Sequence, residues 1–253
     1  MKKLSKRTFA FFAFAYLVTL LVTAPASLLD NYLQHVSQGR MIMANTSGTI
    51  WNGSATPALR QQENRFIGLP PLRWDIAVLP LFTGIIKARL QWSDQPLAPA
   101  MDAIISPSRF ELHHALIRLP ALALSGVSPI LKPARFGGQF QIQSEQLIFS
   151  KRGIDGSAVA DWQQASSALS SIAPLGNYRL ALSGAGDRIN IGLTTVSGIL
   201  LLEGKGNWLA GRGLEFHGRA QASAGNHDNL TELLHHLGPE ESPGVHGFNI
   251  TPQ

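Results

Sequence analysis

From Thr8 to Leu29 the chain reads TFAFFAFAYLVTLLVTAPASLL, with no charged residue. Lys2, Lys3, Lys6 and Arg7 precede this stretch and Asp30 follows it. As a helix it would extend about 33 Å at about 1.5 Å per residue, enough for a bilayer core of about 30 Å. The cations stand on one side only, so the positive-inside bias puts residues 1–7 in the cytoplasm, 8–29 in the membrane and 30–253 beyond it. Ala24-Pro25-Ala26 also has the small-x-small pattern of a signal cleavage site. Pro25 beside the cut disfavours cleavage, so the sequence favours an uncleaved anchor. Either reading exports the rest of the chain. A buried soluble helix would need a polar face, and nothing polar interrupts the stretch.

That topology changes how the charge is read. Of the 21 Lys and Arg, four flank the apolar stretch, and the remainder nearly balance the 16 Asp and Glu. No basic stripe remains to bind nucleic acid. The chain has no cysteine. This excludes disulfides, thiol chemistry, Cys-ligated zinc and lipid attachment through Cys. The exported part must therefore be held by its core and its backbone pairing.

The 24 glycines and 15 prolines punctuate short period-two runs. Leu28–Arg40 reads as a helix with Leu29, Leu33 and Val36 on one face, continuing the apolar stretch and ended by Gly39. Asn52-Gly53 reads as the turn of a β-hairpin, with Gly53 at positive φ. Leu72, Trp74 and Ile76 alternate with Arg73 and Asp75. Ala88, Leu90 and Trp92 alternate with Lys87, Arg89 and Gln91, and Pro80 and Gly84 mark the turn between the two strands. Residues 95–109 read as a proline-broken loop, and Gly153–Gly156 as a turn. Residues 161–174 read as a short helix or a polar loop. The last third alternates most cleanly, at Tyr178, Leu180 and Leu182, at Ile189, Ile191 and Leu193, and at Leu214, Phe216, Gly218, Ala220 and Ala222. The narrowing toward Gly and Ala predicts a close neighbour on that face. Asp228 or Asn229 caps a helix carrying Leu230, Leu233, Leu234 and Leu237, which Gly238 ends. The tail reads as loosely held, with one edge strand. The expectation is a mainly β protein: a large antiparallel sheet, curved or folded on itself, with minor helices.

The sequence offers little chemistry. His113-His114 and His235-His236 are adjacent pairs, and neighbours on a strand or helix do not point at one ion. No H-E-x-x-H, G-x-S-x-G or phosphate-binding loop occurs. Neither a catalytic residue, a metal site nor a cofactor site is expected. The five tryptophans, Trp51, Trp74, Trp92, Trp162 and Trp208, lie in or beside predicted strands as core or edge anchors, or as lining for a partner surface.

Ser47-Gly48-Thr49-Ile50-Trp51-Asn52-Gly53-Ser54-Ala55 resembles an S-G-T-x-W-x-G-x-A signature of the type II secretion system protein N family. Pro174-Leu175-Gly176-Asn177-Tyr178, Leu202-Glu203-Gly204-Lys205-Gly206-Asn207-Trp208 and Phe216-His217-Gly218-Arg219-Ala220 resemble the same family. The resemblance covers nearly the whole chain. It implies an accessory inner-membrane component of the machine that carries folded proteins from the periplasm across the outer membrane of Gram-negative bacteria. It implies other subunits of that machine as partners and no catalytic residues. The motif residues Ser47, Gly48, Thr49, Trp51, Gly53, Gly176, Tyr178, Gly204, Gly206, Trp208, Phe216 and Gly218 are expected to be structural.

Two rival readings stand beside it. A lipid-handling groove, as in AsmA-like proteins, would show a continuous open apolar trough, whereas a docking module would show a sealed core. An anchored periplasmic enzyme would need converging polar groups in a pocket.

Overall fold

The computed structural model describes residues 6–60, 66–94, 99–126 and 135–251. Lys2 and Lys3 of the cationic flank, and the Pro96–Ala98 part of the expected loop, lie outside the described residues. The apolar stretch forms α1, Lys6–Val22, and stops there. Pro25 follows, and α2 spans Ser27–Val36 as a separate helix. The expected single helix over 8–29 is thus broken at residues 23–26, where proline has no N–H to continue the helical bonding. Among the described residues no helix is long and apolar enough to cross a membrane. Of the face expected on α2, Leu29 packs inward but Val36 stays exposed.

Among the described residues fifteen strands form one sheet. They are β1 Met41–Gly48, β2 Asn52–Arg60, β3 Phe66–Gly68, β4 Leu72–Ala77, β5 Ile86–Trp92, β6 Met101–Ser106, β7 Arg109–Pro120, β8 Gly137–Ser150 and β9 Gly153–Ser166. Then follow β10 Gly176–Ala185, β11 Arg188–Gly198, β12 Leu200–Leu209, β13 Gly213–Ala222, β14 Glu240–Ser242 and β15 Val245–Ile250. Each strand pairs antiparallel with the next, except that β2 carries both β3 and β4 and that β15 lies between β13 and β14. The sheet therefore has two separate edges, at β1 and at β14.

Three sequence expectations fail locally. Met101–Ser106 is a strand, not a loop, because its prolines lie outside the paired residues. Residues 153–156 open β9 rather than turning; Gly153 and Gly156 have positive φ but pair with Ser150 and Leu147. Residues 161–166 end β9, so only the remainder of the expected helix or loop lies outside the sheet.

Antiparallel pairing puts alternate residues on opposite faces. In register, Trp74 lies opposite Leu90, Ile117 opposite Ile142, Leu180 opposite Leu193, and Gly204 opposite Gly218. One face is thus apolar from β1 to β15. The other carries Arg89 opposite Asp102 and Arg179 opposite Asp161.

The apolar face is covered unevenly. α3, His227–Leu237, buries Leu230, Leu233 and Leu234 against Leu175, Leu200 and Ala220. Their i, i+3, i+4 spacing makes one stripe, and each such leucine contributes about 1.5–3 kcal/mol when fully buried. Asn226 occupies the N-cap position, two residues before the site expected from sequence. At the other end Ala26 and Leu29 pack on Ala55 and Trp74. Between these caps, Leu180, Leu182, Ile189, Ile191 and Leu193 are only half-buried. A sheet face normally packs against a second layer. Here one layer does most of the work.

The edges are protected. Asp30 Oδ1 accepts the Met43 N–H at 2.7 Å and Ser37 Oγ accepts the Met41 N–H at 3.1 Å. These outward amides of β1 would otherwise invite another strand. The tail is not loose: β15 pairs along β13, and His246 is buried with its Nδ1 donating to the Gly238 carbonyl.

Candidate functional site

The motif residues gather at three places, all of them structural joints. The first is the tip between β1 and β2. The hairpin expected there exists, but its turn is Thr49–Trp51, one step earlier than Asn52-Gly53. Gly48 takes the positive φ, +86°, and a Cβ on it would lie 2.5 Å from the Asn52 carbonyl. Thr49 holds the turn: its N–H donates to the Asn52 carbonyl, and its Oγ1 accepts the N–H of Asn52 at 3.1 Å and of Trp51 at 3.3 Å. Ser47 Oγ meets Ser54 Oγ at 2.9 Å across the pair.

Gly53 has another reason to lack a side chain. Its φ is not positive; a Cβ would sit 2.6 Å from both the Ser47 carbonyl and the Trp74 ring. Trp74 lies over Gly53 and donates its Nε1–H to the Ile50 carbonyl at 3.1 Å. The Trp51 Nε1–H reaches back to the Leu21 carbonyl in the last turn of α1, at 2.8 Å. Ala26 N and Ile50 N complete the joint by donating to the carbonyls of Gly48 and Ala24. The signature S-G-T-x-W-x-G-x-A therefore clamps α1 and α2 to the sheet.

The second place is the start of β10. Tyr178 is 1% exposed and its hydroxyl donates to the Leu200 carbonyl at 2.9 Å, two strands away. Burial raises its pKa far above the ordinary phenol value. A Cβ on Gly176 would lie 2.6 Å from the Ser197 carbonyl. Trp162, Phe140 and Phe136 continue this cluster, with ring centroids 5.2–5.6 Å apart, and Trp162 donates to the Gly137 carbonyl.

The third place is the β12–β13–β15 ladder. The Phe216 ring lies over Gly204 and Gly206, which have no Cβ to displace it, and the Phe248 ring lies over Gly218. The two rings stack at 6.0 Å. This is the close neighbour that the narrowing sequence predicted. Trp208 pairs with Leu214 at the end of the ladder.

Nothing at these joints converges as catalytic groups do. Among the described residues no three His, Asp or Glu side chains are placed to hold a metal. His114 has a positive φ of +53°, and its ring lies 6.4 Å from that of His113, without a third ligand among the described residues. A depression of about 790 Å³ on the polar face is lined by Asp161, Gln163, Gln164, Asn177 and Arg179. Asp161 accepts two bonds from the Arg179 guanidinium, at 2.6 and 3.0 Å, which holds that cation charged. Such a surface suits polar recognition of another macromolecule.

Sequence reasoning overlooked one surface. Val78, Leu79 and Phe82 project from the connection between β4 and β5 into solvent. The available signal was an uncharged run from Ile76 to Ile86 with no room inside a turn to bury it.

A one-layer sheet with an apolar face, a charged face and motif residues serving as joints defines a scaffold that presents surfaces. Residues 40–249 match the family described as type II secretion system (T2SS), protein N, and the chain belongs to that family. It is 28% identical over 237 residues to type II secretion system protein N of Klebsiella pneumoniae, covering 90% of this chain and 88% of that protein. No solved structure matches it.

Proposed function

We propose that this chain is a periplasmic docking module of the type II secretion system, tethered to the inner membrane by α1. The observation that carries the tether is the surface of α1. Phe11, Phe12, Phe14, Tyr16, Leu17, Leu20 and Leu21 are all exposed, so the helix turns apolar side chains outward in every direction. Water offers no home for such a helix. The uncharged sequence continues past the 17 residues of α1 as far as Leu29. Tethering raises the effective concentration of the sheet for other membrane-held subunits. Recognition of those subunits falls to the polar face.

A second reading rests on the half-buried leucines and isoleucines of β10 and β11. They form a partly covered apolar strip, in which Leu180 packs on the buried Phe140 cluster, and a partly open strip is what a lipid-handling trough requires. One experiment separates the two. A photoreactive side chain replaces Thr194 on the polar face or Ile191 on the apolar face, in intact cells. Adducts from Thr194 to other secretion subunits support the docking reading. Phospholipid adducts from Ile191, with no protein adduct from either position, support the trough.

A further inference from the structure

We propose that the β4–β5 connection is a second membrane contact, dipping Leu79 and Phe82 into the bilayer surface beside α1. The inference rests on the proposed membrane placement of α1. Leu79 is 81% and Phe82 85% exposed, more than any other large apolar side chain described outside or inside α1. Val78 is also exposed, and the patch continues onto Ile86 and its register partner Ile105. No charge occurs from Ile76 to Ile86, and Lys87 follows at once, placed for anionic headgroups.

The connection is built, not loose. Leu79–Thr83 forms a 3-10 turn that Gly84 closes at φ +74°. The N–H groups of Leu81, Gly84 and Ile85 donate to the carbonyls of Val78, Leu81 and Pro80, and the Thr83 hydroxyl donates to Pro80 at 2.7 Å. Internal satisfaction of polar groups is what a lipid environment demands. A turn held in this way points its apolar side chains outward permanently.

Its location selects lipid over a protein partner. Ile76, one residue before the end of β4, donates its N–H to the Trp51 carbonyl at 2.6 Å. The Trp51 indole is bonded to Leu21 of α1. The connection therefore leaves the sheet one strand from the point where α1 joins it. A membrane that holds α1 lies next to Leu79 and Phe82.

The absence of cysteine allows single labels without background. The full chain is reconstituted in phosphatidylethanolamine/phosphatidylglycerol vesicles with an environment-sensitive fluorophore on Leu79→Cys, Phe82→Cys, Leu17→Cys or Ser197→Cys. Quenching by nitroxide lipids is then compared. Several-fold stronger quenching at 79 and 82 than at 197, with quenching at 17 as well, supports the proposal; the same at 79 and 82 without 17 overturns the placement beside α1. Quenching at 17 with 79 and 82 resembling 197 overturns it and leaves the α1 tether standing. Quenching at none of 17, 79 and 82 overturns both. A blue-shifted emission at 79 and 82 without lipid quenching marks a protein contact and also overturns the proposal.

Discussion

The Trp51 Nε1–H and the Leu21 carbonyl meet at 2.8 Å across thirty residues of sequence. Beyond a long 3.4 Å bond from the Ala24 N–H, this last-turn carbonyl of α1 has no helical partner. Trp51 supplies one and fixes where α1 leaves the sheet. Trp51→Phe keeps the ring and removes the donor. The expected cost is about 0.5–1.5 kcal/mol, read as a fall of a few degrees in melting temperature in detergent. The same change exposes residues 22–27 to faster proteolysis. Unchanged cleavage there would show that the bond does not position α1.

Gly53 tests whether the motif glycine serves a turn or a ring. Gly53→Ala is expected to cost about 1–3 kcal/mol, as overpacking does, because its Cβ meets the Trp74 ring and the Ser47 carbonyl. Gly192→Ala, with nothing within 4 Å of its Cβ, is expected to stay within about 0.5 kcal/mol of the parent. Chemical denaturation of both variants reads the difference. Equal stabilities would remove the ring-seat explanation.

What was legible in the sequence was the period of two. It placed β4, β5, β10, β11 and β13, and the leucine stripe placed α3, because these signals are local. The hairpin tip was misread because Asn-Gly usually marks a turn, whereas here Gly53 makes room for Trp74, twenty-one positions on. The joint between Gly218 and Phe248 was equally hidden, since the ring lies on β15, beyond α3 and β14. The break after α1 has its signal in Pro25, which reading an unbroken charge-free stretch passes over. Tyr178 could be assigned a face, but its bond to Leu200 depends on the order of β10, β11 and β12. The outward turn at Leu79 and Phe82 was missed because period-two reasoning assigns apolar residues to the interior.

His217 makes the pairing of β13 and β15 sensitive to pH. Its Nδ1 lies 2.8 Å from Asn249 Oδ1 on β15, and its Nε2 lies 3.5 Å from Glu215 Oε1. With an acceptor beside each ring nitrogen, the charged form is favoured. Its pKa therefore rises above the ordinary histidine value, chiefly through Asn249 and next through Glu215. A group raised on folding contributes fully below its unfolded pKa, about 6.5. The contribution fades as pH climbs through the raised folded value. Amide exchange along β15, corrected for intrinsic rates, is expected to be slower at pH 5.5 than at pH 8. The difference should vanish in His217→Gln. An identical pH response in that variant would assign the effect elsewhere.

The stacking of Phe248 on Gly218 gives the sharpest test of how the C-terminal hairpin is held. Within the sheet β15 has β13 and short β14 as neighbours, and Phe248 is its apolar contact with the leucine cluster under α3. A Cβ on Gly218 would overlap the Phe248 ring, which has nowhere to go while β15 remains paired. Gly218→Val is expected to release β15 and destabilise the sheet by about 2–3 kcal/mol, within the range for overpacking. Phe248→Ala alone leaves a gap and costs about 3–5 kcal/mol if the site cannot collapse. In the double variant the valine fills part of that gap, so the combined loss is expected to fall short of the sum by at least about 1 kcal/mol. Denaturant unfolding of the four proteins closes the cycle. Strict additivity would mean that residue 218 and the ring act independently, and glycine at 218 would then need a backbone explanation rather than a packing one.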